Sequence, residues 1–204
     1  MRKLRLFFFA IVFGFLAIVG SSGSHSIVAP NDVLAQAAQK YEDEGKKIVP
    51  YVPTPQEVVE RMLELAQVKK GDVVYDLGSG DGRIVVTAAK QYGVKAIGFE
   101  IDPERIKESQ ENIKKAGVGH LVEIRQQDIR TVDLSQASVL TMYLLPEVNL
   151  MIRPNIWKQM KPGSRVVSHD FDMGDWKPIK TEQIKDPSGW EHTLYLWQVE
   201  ANRK

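Results

Sequence analysis

Residues 73 to 83 read Val73-Val74-Tyr75-Asp76-Leu77-Gly78-Ser79-Gly80-Asp81-Gly82-Arg83. The apolar run at the start of this segment predicts a buried β-strand, and the residues from Arg83 to Gln91 predict a helix. Glycines between a strand and a helix let the backbone turn tightly and approach a ligand. The free N–H groups at the start of a helix favour an anionic group. The segment therefore predicts a βα unit with a ligand site at the carboxyl end of its strand.

The chain after this segment alternates between predicted strands and helices. Strands are predicted over 95–100, 121–125, 138–143 and 165–168, and helices over 103–116 and 149–160. Pro154 is expected to break or restart the second of these helices. Repeated βα units predict an α/β fold in which helices cover both faces of a mostly parallel sheet. Only a turn separates strands over 178–185 and 193–200, which predicts a C-terminal antiparallel pair.

The first 46 residues are predicted to lie outside this fold. Three basic residues precede an apolar stretch over 6–19, and small residues follow it at 20–24, a pattern typical of a secretory signal or a membrane anchor. We therefore predict a signal peptide or anchor over 1–26, an N-terminal helix and linker over 27–46, and the folded domain over 47–204. The leader predicts that the protein is exported or associated with a membrane. At the start of the domain, Thr54, Pro55 and Glu57 are expected to form a capping box on a helix.

The composition excludes several classes of protein. With 43% hydrophobic and 26% charged residues, the chain is neither disordered nor a collagen nor a coiled coil. Its 27 basic and 26 acidic residues give a net charge of +1, without the basic excess usual in a nucleic-acid binder, so no nucleic-acid partner is expected. Because the chain has no cysteine, thiolate metal sites and cysteine nucleophiles are excluded, and we predict no metal site.

Acidic residues stand at three successive strand ends. Asp76 ends the first strand, Glu100 ends the second, and Asp128 follows the third. Asp76 would repel a pyrophosphate, and the glycine spacing also differs from the G-x-G-x-x-G of dinucleotide sites. A carboxylate at the first position suits an ammonium group, one at the second suits a ribose, and one at the third suits an adenine amino group. S-adenosylmethionine carries all three groups.

This order of motifs resembles the class I S-adenosylmethionine-dependent methyltransferases. Together with segments 50–55, 99–102, 141–145 and 165–171, it is similar to archaeal broad-specificity protein lysine methyltransferases and to their mitochondrial relatives. The resemblance implies a Rossmann-like sheet of seven strands, S-adenosylmethionine as cofactor, and a protein substrate with an accessible lysine. The residues that would contact the cofactor are Tyr51, Thr54, Asp76, Gly78, Ser79, Gly80, Glu100, Ile101 and Asp128.

The segment from Thr141 to Leu145 follows the fourth strand, where class I enzymes hold the methyl acceptor. Many amino and nucleobase methyltransferases carry Asn or Asp followed by Pro-Pro-Tyr or Pro-Phe there, and this chain does not. The difference argues against adenine or glutamine methylation and is compatible with lysine. We predict Tyr143 and Thr141 as catalytic residues, with the Tyr143 hydroxyl and backbone carbonyls near Thr141 orienting the amine.

A lysine acceptor must first lose a proton. An unperturbed lysine pKa of about 10.4 leaves only ~0.04% of the amine neutral at pH 7, and a narrow apolar channel would lower that pKa by desolvation. Met142, Leu144 and Trp176 are candidates for this channel. His169 and Asp170 follow the fifth strand, where either can face the acceptor.

Three other functions compete with this hypothesis. A small-molecule N- or O-methyltransferase would use the same fold and cofactor. A nicotinamide-dependent oxidoreductase is disfavoured by the glycine spacing and by Asp76. A non-catalytic protein that senses the cofactor or anchors a partner would keep the loop without turnover. The sequence predicts neither the methylated protein nor the oligomeric state.

Overall fold

The structure, a computed structural model, describes residues 51–201. Its elements are α1 (Gln56–Leu65), β1 (Val73–Leu77), α2 (Arg83–Tyr92), β2 (Lys95–Glu100), α3 (Pro103–Ala116), β3 (Val122–Gln126), a 3₁₀ turn (Ile129–Thr131), β4 (Val139–Met142), α4 (Pro146–Gln159), β5 (Arg165–His169), β6 (Lys180–Lys185) and β7 (Glu191–Gln198). The predicted elements of this part of the chain are all present, with ends shifted by up to a few residues.

The seven strands form one sheet in the order β3-β2-β1-β4-β5-β7-β6. β1 pairs in parallel with both β2 and β4, whereas β7 runs antiparallel to β5 and β6. The predicted seven-stranded α/β fold with an antiparallel C-terminal pair is therefore confirmed. Because the strand order reverses beside β1, a crevice opens at the carboxyl ends of β1 and β4, where such folds bind ligands.

Helices cover both faces of the sheet and bury two apolar layers. Val58 and Met62 of α1 pack with Val85 and Ala88 of α2 on one face. Ile152 and Ile156 of α4 pack on the other face, together with aromatic side chains. These layers fix the sheet from both sides, so the strand ends that carry the polar residues are held in a rigid frame.

Trp176 belongs to the second layer and does not form an acceptor channel as the sequence suggested. Its side chain is 2% exposed and packs against Trp157 and Trp197. Its backbone carbonyl accepts a hydrogen bond of 2.6 Å from Trp197 Nε1. The indole therefore stabilises the sheet beneath α4.

Two local predictions were wrong. Pro154 lies inside α4 without ending it. Leu150, four residues earlier, is exposed, so the carbonyl left without a helical partner lies on the side facing water. The capping box at α1 does not form either, because Pro55 is the N-cap residue and makes no side-chain cap. The Thr54 hydroxyl binds instead to Nδ1 of His169, at 3.2 Å.

The predicted leader (1–26) and linker (27–46) lie outside the described residues, so these two boundaries stay predictions. Within residues 51–201, none of the helices has both the length and the hydropathy that crossing a bilayer requires.

Candidate active site

A cavity of about 1020 Å³, counted with its open mouth, lies at the carboxyl ends of β1 and β2 and beside the loop after β3. Every predicted cofactor residue lines it, and so does the predicted catalytic Tyr143. The full set of predicted residues in its wall is Tyr51, Thr54, Asp76, Gly78, Ser79, Gly80, Glu100, Ile101, Asp128 and Tyr143. The structure therefore gathers in one place residues that are spread over 93 positions of the chain, from 51 to 143.

Asp76 is a buried carboxylate at the floor of the cavity, and its side chain is 2% exposed. Burial raises its pKa to about 7, and the negative charges of Glu100 and Asp81 raise it further, while a hydrogen bond from the Thr141 hydroxyl opposes the shift. Within residues 51–201, no basic side chain forms an ion pair with it. A cationic ligand group is therefore the partner that this carboxylate lacks.

Thr141 stands behind Asp76 and does not line the cavity. Its side chain is fully buried, and its hydroxyl lies 2.8 Å from Asp76 Oδ1. It also lies 3.2 Å from the backbone carbonyl of Tyr75. The prediction of a catalytic Thr141 is thus corrected: this residue positions Asp76 and does not touch an acceptor.

Glu100 fixes the opposite wall through backbone hydrogen bonds. Its Oε2 accepts from the Gly80 N–H at 2.8 Å, and its Oε1 accepts from Ile101 and Asp102 at 2.7 and 2.9 Å. The carboxylate is therefore locked between the glycine loop and the start of α3. Its remaining lone pairs can accept the two hydroxyls of a ribose.

The glycine loop is shaped by contact with the segment that covers it. Gly80 has a φ of 53°, and a Cβ at this position would lie 2.5 Å from Cε2 of Tyr51. The guanidinium of Arg105, on α3, lies 4.6 Å from the centroid of the Tyr51 ring. Tyr51 therefore lies on the loop and is held there by a cation–π contact. Only glycine gives this backbone both its conformation and its space.

An ion pair joins the covering segment to the start of α2. Arg83 pairs with Asp81 at 2.7 Å, and its Nη1 donates a hydrogen bond of 2.8 Å to the carbonyl of Thr54. Asp81, Arg83 and Arg105 line the cavity but were not predicted. Their roles depend on contacts with residues 51–54, about 30 or more positions away. Nothing in the local pattern of the sequence indicates such contacts.

Asp128 marks the end of the cavity farthest along the sheet. It caps the 3₁₀ turn by accepting from the Arg130 N–H at 2.9 Å, and it also pairs with the Arg130 side chain. Gln127 and Ile129 line the cavity on either side of it. This polar and apolar combination is suited to the edge and the face of a purine.

The acceptor end of the cavity is marked by Tyr143. Its ring lies 3.9 Å, centroid to centroid, from the imidazole of His169 and 6.1 Å from the ring of Phe171. Burial raises the pKa of Tyr143, and so do the charge of Asp170 and a hydrogen bond with that carboxylate. Met142 and Leu144 are buried in the core under the loop, where Leu144 touches Gly78. Among the channel candidates, none lines the cavity itself.

The cavity fits S-adenosylmethionine at several independent points. Asp76 lacks a cation, Glu100 has free lone pairs, and the hydroxyl of the buried Ser79 has no hydrogen-bond partner among the described residues. A methionine ammonium, a ribose and a methionine carboxylate would satisfy these groups in turn. When bound, S-adenosylmethionine supplies an electrophilic methyl group on a positively charged sulfur.

Comparison with known proteins decides between the candidate functions. The family described as the ANTKMT methyltransferase domain matches residues 76–180, which is about half of the chain. A protein-lysine N-methyltransferase of Saccharolobus islandicus is 50% identical over 152 residues, covering 74% of this chain and 94% of that protein. The chain belongs to the ANTKMT methyltransferase domain family. It is an S-adenosylmethionine-dependent methyltransferase, as predicted, and not an oxidoreductase.

Two further relatives were compared with this methyltransferase. A lysine N-methyltransferase of Rattus norvegicus, named for an ATP synthase subunit, is 27% identical over 158 residues, covering 78% of this chain and 72% of that protein. A crystal structure from Salinibacter ruber is 52% identical, with a TM-score of 0.70, and covers 75% of this chain and 97% of that one. It is described as an RNA methyltransferase in complex with S-adenosyl-L-homocysteine. That complex agrees with the cofactor of this methyltransferase.

Proposed function

We propose that this methyltransferase transfers methyl groups to lysine side chains of proteins. The observation that carries the proposal is the charge at the acceptor end, where the Tyr143 hydroxyl lies against the carboxylate of Asp170. An aromatic and acidic end attracts a cationic amine and repels the phosphates of a nucleic acid. The 50% identical protein-lysine N-methyltransferase supports the same acceptor.

The protein contributes to the reaction mainly by alignment and by excluding water. Asp76 and the glycine loop hold the methionine end of the cofactor, and Glu100 holds the ribose, so the reactive methyl points toward Tyr143. Tyr143 orients the attacking amine with its hydroxyl. The amine attacks in its neutral form, so a proton must leave before transfer.

RNA is the second candidate acceptor, because the Salinibacter ruber structure is described as an RNA methyltransferase. The two acceptors are separated by incubating the protein with methyl-labelled S-adenosylmethionine and, in parallel, with a histone mixture, total RNA and a small-metabolite extract. We expect label in the histones, which mass spectrometry assigns to lysine. Label confined to RNA or to metabolites would overturn the proposal.

Two variants make this experiment specific to the cavity. Asp76→Asn removes the charge that pairs with the cofactor and is expected to lower labelling at least tenfold. Asp133→Asn changes an exposed acid that caps Ser135 away from the cavity, and it is expected to label like the unmodified chain. Equal labelling by both variants would show that the activity does not come from this site.

A further inference from the structure

Next to the cavity, four side chains form a connected group, here called the His–Asp chain: His169, Asp170, His192 and Asp186. They come from the end of β5, from β7 and from the turn that follows β6. The group meets the cavity at two lining residues, since His169 contacts both the Thr54 hydroxyl and the Tyr143 ring. It thereby connects the acceptor end with the β6–β7 turn at the surface.

The hydrogen bonds of the His–Asp chain have one direction. Nε2 of His169 lies 2.9 Å from Nδ1 of His192, and Nε2 of His192 lies 3.3 Å from Oδ2 of Asp186. Hydrogen bonds, first of all from Ser188, lower the pKa of Asp186, so its carboxylate accepts. His192 must then carry its proton on Nε2 and accept on Nδ1. His169 in turn donates from Nε2 and accepts from the Thr54 hydroxyl.

The distances favour hydrogen bonds over a bound metal ion. Nitrogen ligands about 2.0–2.1 Å from a tetrahedral zinc ion lie about 3.3 Å apart. The two imidazole nitrogens are only 2.9 Å apart, which is an ordinary hydrogen-bond length. Burial also lowers the pKa of His169 to about 4, so its imidazole is neutral at pH 7.

Asp170 is held in a strained conformation that aims its carboxylate at this group. Its φ is 60°, which is uncommon outside glycine. Its N–H donates to the Thr193 carbonyl at 2.7 Å, and its Oδ1 accepts from the Thr193 N–H at 2.8 Å. Oδ2 is left 3.2 Å from Nε2 of His169 and 3.6 Å from Nδ1 of His192. Strain maintained at such a position points to function.

We propose that Asp170 binds the ammonium of the acceptor lysine beside Tyr143, and that His192 and Asp186 carry the proton it loses to the surface. This inference rests on the proposed lysine acceptor. The N–H bond of the ammonium breaks, and its proton passes to Oδ2 of Asp170. His192 takes that proton on Nδ1 and releases its own from Nε2 to Asp186, and water removes it. The amine keeps the electron pair that attacks the methyl carbon, and no other reactant is consumed.

The kinetic test compares Asp170→Asn and His192→Asn with the unmodified protein on the histone mixture. Asparagine tolerates a positive φ and keeps an acceptor for Thr193, so the first variant retains the backbone. We expect Asp170→Asn to raise KM for histones about tenfold. His192→Asn should leave KM unchanged and lower kcat about tenfold at pH 7. Its kcat should come within twofold of the unmodified protein near pH 10, where lysine loses its proton unaided.

The pH profile must be interpreted with all the titratable groups that face the His–Asp chain. Besides its own members these are Tyr143, Asp172 and Tyr195. Asp172→Asn removes an exposed neighbouring charge and should change neither KM nor the profile. Retained affinity for S-adenosylhomocysteine, measured by calorimetry, shows that each variant is folded. Unchanged KM in Asp170→Asn, or loss of kcat in His192→Asn that high pH does not restore, would overturn the proposal.

A measurement without turnover separates this inference from the proposed function. Nitrogen-15 NMR of the histidine-labelled protein should show both His169 and His192 with the proton on Nε2 at pH 7. Protons on Nδ1, or one zinc ion bound per purified chain, would overturn the proton path whatever the acceptor is. If the tautomers are as expected but histones stay unlabelled, the lysine acceptor fails, and the assignment of Asp170 fails with it.

Discussion

Asp76 couples cofactor binding to pH because its carboxylate is buried without a cation. Its pKa of about 7 in the free protein means that the carboxylate is increasingly protonated below neutral pH. A methionine ammonium pairs with the ionised form alone. We therefore expect the affinity for S-adenosylmethionine to fall about tenfold for each pH unit below 7 and to level off above it. Calorimetric titrations between pH 5.5 and 8.5 measure this dependence.

The same carboxylate should make the free protein less stable. The folded state keeps a proton that the unfolded state releases above pH 4, so stability from this group declines as the pH rises from 4 to 7. Three pH units correspond to a limit of about 4 kcal/mol. Asp76→Asn should therefore raise the free energy of unfolding at pH 8 while abolishing the pH dependence of binding. A variant that is destabilised at pH 8 would contradict this account.

At the scale of elements, Arg165 at the start of β5 ties the end of α1 to the sheet. It donates hydrogen bonds of 3.0 Å to the carbonyls of Ala66 and Gln67 and pairs with Asp72, whose side chain is 7% exposed. Arg165→Met would leave a buried carboxylate without its cation. We expect the free energy of unfolding, measured in urea, to fall by about 3 kcal/mol.

Two further variants isolate the buried charge as the cause. Adding Asp72→Asn to Arg165→Met should recover part of the loss, because the uncompensated charge disappears. Arg125→Met breaks the pair with Glu123, whose two side chains are 42% and 56% exposed, and should change stability by less than about 0.5 kcal/mol. Similar losses from both arginine variants would show that burial of Asp72 is not decisive.

The elements that the sequence predicted best are those with local signals. Asp102 and Pro103 begin α3 and Gly117 ends it, and the predicted bounds are those of the structure. The cofactor residues were found because acids at the ends of parallel strands meet at one edge of the sheet. Thr141 was misplaced because the sequence does not show which way a strand residue faces at a sheet covered on both sides. The His169–His192 contact joins residues 23 positions apart on antiparallel strands, and it depends on the register between them.

For the whole molecule, residues 1–26 decide where the catalytic domain acts. We propose that their apolar stretch associates with a membrane and carries the domain with it, since basic residues precede the stretch and small residues follow it. An arginine in the centre of such a stretch costs about 2.5–3.5 kcal/mol of insertion free energy. Val12→Arg should therefore move the full chain from the membrane fraction of expressing cells to the supernatant. Val12→Leu, which preserves hydropathy, should fractionate like the unmodified chain. If all three chains partition alike and keep the same N-terminus, the leader has no targeting role, and methylation by this domain takes place wherever it folds.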